Sequence, residues 1–100
     1  SFIGASFGEL SNSKKQQHGI NSGVEVTSVT SNGLFRKEGI NKGFIIMRVN
    51  NLPVNSEKDI TSIVSSVTSS SQDKVILVAG FYPNGRTQYI AIDLSQGGGN

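Results

Sequence analysis

Side chains that could carry acid–base or nucleophilic chemistry are sparse in this chain of 100 residues. The single histidine, His18, lies in the polar run Lys-Lys-Gln-Gln-His-Gly, where a solvated surface residue is expected. A nucleophilic serine needs a base that a third group orients, and no serine stands in a Gly-x-Ser-x-Gly turn. Asp59 has the spacing of a helix-start partner, which explains it better than a role as general acid. The sequence therefore predicts no catalytic residue.

Cofactor and nucleic-acid chemistry is also poorly supported. The chain has no cysteine, and a lone histidine without clustered acids makes a weak metal site. Gly39 and Gly43 are not followed by the Gly-Lys-Ser/Thr ending that binds nucleotide phosphates. The net charge of +2 comes from nine scattered basic residues, whereas nucleic-acid binders concentrate such charge on one face. We expect no cofactor, no metal, no nucleic-acid partner and, since no window reaches roughly 18 apolar residues, no membrane span.

The opening segment offers backbone groups instead of reactive side chains. Its sequence, Ser-Phe-Ile-Gly-Ala-Ser-Phe-Gly-Glu-Leu, places apolar residues around Gly4 and Gly8. This pattern is typical of an extended segment entered through a tight loop. Such an opening could expose backbone N–H groups to a ligand.

The elements that would position this segment can be read in order. Residues 11–18 predict a short helix with Asn12 or Ser13 as its cap and Gly19 as its stop. Residues 23–29 alternate apolar and polar and then slip phase at Ser28, which predicts a strand with a bulge or bend near its end. One helical turn over 34–38, closed by a glycine, and a strand over 44–50 follow.

The second half predicts one amphipathic helix and one hairpin. Ser56 and Asp59 have capping-box spacing. Apolar residues then recur at i, i+3, i+4 and i+7: Ile60, Ile63, Val64 and Val67. Residues 74–82 and 86–94 predict antiparallel strands joined by Pro83-Asn84-Gly85, because Asn-Gly tolerates positive φ. Residues 1–94 are expected to form a single domain, with 95–100 as a flexible tail.

This order of elements resembles a PDZ domain, with Gly-Val-x-Val-x-x-Val preceding Gly-Ile-x-x-Gly-x-Ile-Ile-x-x-Val-Asn. More narrowly, it resembles the second, C-terminal PDZ domain of Do-like (HtrA-type) serine proteases, in which the strand order is permuted. The positions at family spacing are Gly39-Ile40, Gly43, Ile45-Ile46, Val49-Asn50 and Val54. The resemblance implies an α+β fold, a partly open antiparallel β-barrel or sandwich of five to six strands with one main helix and one or two short helices.

The resemblance also implies a binding mode. A PDZ domain adds a peptide strand to an exposed sheet edge, and a pocket reads the last side chain. The terminal carboxylate would then be held by the backbone N–H groups of Ile3, Gly4 and Ala5, as in an oriented amide nest. Directly after Gly43, where the family frequently has Asp, this chain has Phe44. We expect Phe44 either to pack on a neighbouring domain or to be a surface or boundary residue.

The implied groove has a strand wall and a helix wall. Its residues on this interpretation are Ser6, Phe7, Ile60, Val64 and Val67, while Ile63 turns inward. The alternative is that the apolar residues of the helix simply form the core, because any packed helix shows one such face.

Two functional hypotheses follow from the resemblance. In the first, the chain is a non-catalytic module of a serine endopeptidase that binds C-terminal or extended apolar peptide segments and regulates substrate presentation. In the second, it is an oligomerisation or inter-domain docking domain of the same protease, with a closed or non-functional groove. The implied partners are peptides or unfolded protein segments, the protease and first PDZ domains of a parent chain, and homo-oligomer contacts. The implied setting is the periplasm or cell envelope, in protein quality control.

Overall fold

The chain folds as an open antiparallel sheet flanked by three helices. The computed structural model describes residues 4–31, 33–70 and 74–94. The elements in chain order are β1 (Ala5–Glu9), α1 (Asn12–His18), β2 (Val24–Val29), α2 (Leu34–Lys37), β3 (Ile45–Val49), β4 (Leu52–Pro53), α3 (Glu57–Ser70), β5 (Val75–Phe81) and β6 (Thr87–Asp93). The strand order is β1-β2-β3-β5-β6, with β4 paired to β3. This confirms the predicted α+β class with six strands and one main helix. The predicted tail lies outside the described residues.

The core fills the space between the inner face of the sheet and the apolar sides of α2 and α3. Its largest completely buried side chains are Phe35, Phe44, Ile40, Ile46, Ile60, Ile76 and Ile92. The strands supply alternate residues, as a sheet with one buried face requires. No charged or polar residue in the described part of the chain belongs to the buried class.

The helix boundaries follow local capping chemistry. The hydroxyl of Ser11 accepts a hydrogen bond from Lys14 N (3.2 Å), so Ser11 caps α1, and the predicted caps Asn12 and Ser13 lie inside the helix. The predicted stop at Gly19 is confirmed, with φ at +68°. At the start of α3, Asp59 N donates to Ser56 Oγ (3.3 Å). The Asp59 carboxylate in turn accepts from Asn55 N (2.8 Å), one residue earlier than in a regular capping box.

Positive φ was expected in the β5–β6 turn but occurs instead in the turn between β3 and β4. Asn50 and Asn51 adopt φ values of +53° and +66°. They form the two-residue connection between β3 and β4, as the twist of a tight hairpin favours. In the β5–β6 hairpin, neither Asn84 nor Gly85 adopts positive φ. Instead, Gly85 N donates to Tyr82 O (2.8 Å), and the preset φ of proline suits the second position of such a turn.

Phe44 is a core residue, so both interpretations of it from sequence are wrong. Its side chain is completely buried, and its ring meets the Tyr82 ring edge-on at 5.0 Å. The residue at position 80 on β5 must be glycine, because a Cβ there would lie 2.7 Å from the Phe44 ring and would collide with Ile45 O. The Tyr82 hydroxyl accepts from Asn41 N (2.9 Å), which ties the loop before β3 to the hairpin. Tertiary packing therefore buries a residue that sequence spacing placed at a surface or boundary.

Candidate functional site

Strand β1 lies at one edge of the sheet. Within the described ranges it pairs only with β2. The Gly4 carbonyl accepts from Thr30 N (2.8 Å) and so points toward β2. Because N–H and C=O groups alternate in direction along an antiparallel strand, those of Ala5 and Phe7 point toward the open edge. The expected bulge lies in β2, where Thr27 has no partner between the pairs Ser6–Ser28 and Phe7–Val26. This leaves the alternation along β1 intact.

A close backbone approach fixes the start of β1. Gly4 is buried and has φ at +73°. A Cβ at this position would lie 2.5 Å from Thr30 Oγ1 and 2.6 Å from Gly33 Cα. Only glycine fits, and the loop end is therefore held against the turn that follows β2. Of the three predicted carboxylate-binding residues, Gly4 and Ala5 lie at this end of the strand, and Ile3 falls outside the described residues.

Helix α3 packs beside β1. Its direction follows from α1, which begins only three residues after β1 ends. Lys15 of α1 donates through Nζ to Asn55 Oδ1 (3.0 Å), and Asn55 lies just before α3. The N-terminal end of α3 is therefore on the Glu9 side of β1, and its C-terminal end is on the Ala5 side. The helix spans about 20 Å and the strand about 16 Å, and these are the two elements that would form the walls of the predicted groove.

The strand wall has an inner and an outer side. Ala5 and Phe7 are half-buried and pack on the core. The Phe7 ring lies 5.7 Å from that of Phe35, in an edge arrangement. The side chain of Ser6 is exposed on the opposite face. Among the predicted groove residues of the strand, Phe7 therefore faces the helix side, while Ser6 can contribute backbone but not a side-chain lining.

On helix α3, the burial of Ile60, Val64 and Ile63 differs from the expected orientations, whereas that of Val67 agrees with them. Ile60 is completely buried and Val64 is 5% exposed, so both belong to the core. Ile63, which was expected to turn inward, keeps partial exposure, as does Val67. The physical reason is that successive residues are rotated by about 100°, so four apolar positions cover a wide stripe. One side of this stripe, formed by Ile60 and Val64, meets the core, and periodicity alone does not show which side remains exposed. The binding roles of these residues stay predictions.

Other chemistry finds little support. The described residues contain no group of three side chains suited to hold a metal ion. His18 is half-buried, and its ring lies 5.3 Å from that of Phe81, so it is packed rather than freely solvated as expected. In the part of the chain that is described, no helix is long and apolar enough to cross a membrane. What the described residues combine is an open strand edge, a glycine-dependent loop end and a helix beside them.

Comparison with known proteins places this arrangement in a structural class. No family model matches the chain, and no curated protein matches it. Among solved structures, the HtrA3 PDZ domain bound to a phage-derived ligand (FGRWV) superposes with a TM-score of 0.70 at 23% identity, covering 91% of this chain and 81% of that one. The HtrA-type protease AlgW with a decapeptide gives 0.67 at 15% identity, and the match covers 91% of this chain but only 27% of AlgW. The PDZ domain of EpsC from Vibrio cholerae gives 0.61 at 14% identity, covering 92% and 95%.

The protein therefore has the PDZ fold. At these identities the likeness concerns the fold alone. The match covers most of the HtrA3 and EpsC domains but only about a quarter of AlgW. The resemblance noted in the sequence is confirmed at the level of the PDZ domain, and its HtrA-type neighbours share the architecture.

Proposed function

We propose that this domain binds the C-terminal ends of apolar peptides by strand addition to β1. The observation that carries the proposal is the open edge of β1, which begins at a glycine that no other residue can replace without collision. Main-chain hydrogen bonds to Ala5 and Phe7 would supply affinity. N–H groups at the Gly4 end would hold the carboxylate, and the exposed margins of Ile63 and Val67 would meet the apolar side chains. The matched HtrA3 domain carries a peptide ligand, which supports the same use of this fold.

The test is a titration that compares free and amidated peptide carboxylates. The probes are Phe-Gly-Arg-Trp-Val and four versions that end in Leu, Ile, Phe or Ala. We expect at least one acid to bind, and its amide to bind about 10 to 100 times more weakly, because hydrogen bonds to a charged acceptor contribute about 1.5–3 kcal/mol. Calorimetry gives both dissociation constants. If none of the five binds, or if acid and amide bind equally, the proposal is wrong.

The protein in which the domain acts is proposed to be a Do-like serine endopeptidase of the periplasm or cell envelope. The HtrA-type neighbours support this assignment, whereas the EpsC match shows that the fold also occurs in a protein not named as a protease. On this proposal the domain is the non-catalytic part, and it presents substrate segments to a separate protease domain. A serine-protease domain encoded in the same polypeptide would support the assignment, and its absence would contradict it.

A second candidate function, docking between copies of this chain, is favoured by the outer face of the sheet. Val75 and Leu77 on β5 are 43% and 42% exposed, and Tyr89 on β6 is 72% exposed. Ala79 pairs with Tyr89 and Leu77 with Ala91, so Val75, Leu77 and Tyr89 share the face opposite to the main core, on which Ala79 itself is buried. This apolar face is a candidate for burial against a second copy.

Sedimentation velocity at increasing protein concentration tests this second candidate. We expect the wild type to form dimers and the double substitution of Leu77→Ser with Tyr89→Ser to stay monomeric. Leu52→Ser is the matched control, because Leu52 is also exposed (53%) but pairs with the inward-facing Val49. A monomeric wild type at all concentrations would exclude docking between copies.

A further inference from the structure

Strand β6 forms the edge of the sheet opposite to β1, and within the described ranges it pairs only with β5. Natural proteins usually protect such an edge with a bulge, a proline or charged side chains. In β6, all seven residues pair with β5 in unbroken register, the sequence Thr-Gln-Tyr-Ile-Ala-Ile-Asp contains no proline, and its one charge is at the end. The β6 edge is therefore suited to pair with another strand.

The backbone groups that face this edge can be identified from one hydrogen bond. Leu94 N donates to Lys74 O, on the side of β5 (2.6 Å). Because N–H and C=O groups alternate in direction along an antiparallel strand, those of Thr87, Tyr89 and Ala91 point away from β5. The side chains of the same three residues are exposed. An added strand would therefore meet both their backbone groups and their side chains.

We infer that β6 pairs with β6 of a second copy in antiparallel orientation, with Tyr89 of each copy opposite Ala91 of the other. In this register the N–H and C=O groups of the two residues face each other and form hydrogen-bonded pairs. The twofold axis passes between the Ile90 residues of the two copies. This inference rests on the proposed docking between copies, and it adds the strand edge through which two apolar faces join.

Side-chain size favours this register. Ala91 is small, and on β5 its partner is Leu77, which is 42% exposed. The ring of Tyr89 from the second copy would extend over the methyl group of Ala91 toward Leu77 and cover it. A register shifted by two residues would instead place the polar Thr87 of the second copy beside Ala91. The edge is thus complementary to itself in one register.

Charge favours a second copy in antiparallel orientation. Arg86 precedes β6 and is exposed, and Asp93 ends the strand. The register places Thr87 opposite Asp93, so Arg86 of one copy lies next to Asp93 of the other, and the twofold symmetry repeats this contact. An in-register parallel pairing would bring like charges together, which is destabilising.

Sedimentation velocity of the wild type, Ala91→Pro and Ala91→Ser tests the pairing. Proline removes the Ala91 N–H that points to the open edge, and an edge strand tolerates proline there because the bonds to β5 remain. Symmetry removes two hydrogen bonds per dimer, so we expect the dimer dissociation constant to rise about tenfold or more. Ala91→Ser is the matched control, because it keeps the N–H and should dimerise as the wild type does. Circular dichroism shows whether each form is folded.

Cysteine cross-linking tests the register without a proline, and the chain has no cysteine of its own. Ile90→Cys should form an intermolecular disulfide on mild oxidation, because the two Cα atoms at the axis would be about 4.5 Å apart. Gln88→Cys is the matched control. Gln88 is exposed whereas Ile90 is partly buried, so random collision favours Gln88, but in this register the two Gln88 residues would be about 13 Å apart. We expect Ile90→Cys to cross-link several times faster.

The outcomes separate this inference from docking in general. If the wild type stays monomeric at all concentrations, docking between copies and strand pairing are both wrong. If the wild type dimerises but Ile90→Cys cross-links no faster than Gln88→Cys, the strand pairing is wrong and docking through the apolar face stands. A folded Ala91→Pro that dimerises as tightly as the wild type would also refute the pairing.

Discussion

A Phe44→Ala variant is expected to lose about 3–5 kcal/mol of unfolding free energy, the range for removing a buried phenylalanine. The ring is completely buried, it lies edge-on to Tyr82 at 5.0 Å, and Gly80 leaves space for it beneath β5. The hole left by the ring could close only by moving β5 toward β3, and these strands are held in register by paired residues on both sides of position 80. Since domains of this size are stable by about 5–15 kcal/mol, the variant should be close to unfolding.

Urea titration followed by circular dichroism measures this effect. We expect the melting temperature to fall by more than about 10 °C as well, because 1 kcal/mol corresponds to roughly 4–8 °C in a domain of this length. Tyr89→Ala is the matched control, since Tyr89 is an aromatic residue that is 72% exposed, and its loss should change stability by less than about 0.5 kcal/mol. A loss below about 1 kcal/mol in Phe44→Ala would contradict the assignment of Phe44 to the core.

The second large effect is expected at Gly4, where Gly4→Ala should weaken binding of a peptide acid by about tenfold or more. The added methyl group would meet Thr30 Oγ1 at 2.5 Å and Gly33 Cα at 2.6 Å, and the φ of +73° already disfavours any side chain. The loop end must then shift, and the N–H groups that are proposed to hold the carboxylate move with it. Because those bonds to a charged acceptor contribute about 1.5–3 kcal/mol, their loss accounts for the expected factor.

A double cycle separates this effect from unfolding. If the loop holds the carboxylate, the acid and the amide should bind Gly4→Ala equally, although the acid binds the wild type more tightly. Gly19→Ala is the matched control, because Gly19 also has positive φ (+68°) but a Cβ there meets nothing within 4 Å. It should share the backbone strain, lower stability by about 1–2 kcal/mol and leave the ratio of acid to amide unchanged. A Gly4→Ala variant that still prefers the acid as strongly as the wild type would remove Gly4 from the carboxylate site.

Much of the fold could be predicted from local sequence signals. The glycine stop at Gly19, the bulge near Ser28 and the hairpin over 75–93 are all confirmed. Each depends on chemistry within a few residues, such as the tolerance of glycine for positive φ or the alternation of a strand. The helix cap was misplaced by one or two residues because Ser11, Asn12 and Ser13 are all suitable caps, and local propensity does not choose among them.

The candidate site was harder to predict, because it depends on which side of the apolar face of α3 remains exposed to solvent. The spacing of Ile60, Ile63, Val64 and Val67 predicts an amphipathic helix but not its rotation about its own axis. That rotation follows from where β1 and β5 meet the helix, which are contacts between residues far apart in the chain. The hydrogen bond between Lys15 and Asn55 has the same non-local origin, since 40 residues separate its partners.

By itself, therefore, the sequence determined the order and type of the elements, the positions that needed glycine, and the resemblance to a PDZ domain, because turn chemistry and hydrophobic periodicity are local properties. Only the tertiary structure decided that Phe44 is core, that Ile63 rather than Ile60 keeps exposed surface, and that α1 reaches the start of α3. Those outcomes depend on how the sheet curves around its core and on which non-local surfaces exclude water together. No run of adjacent residues encodes either of them.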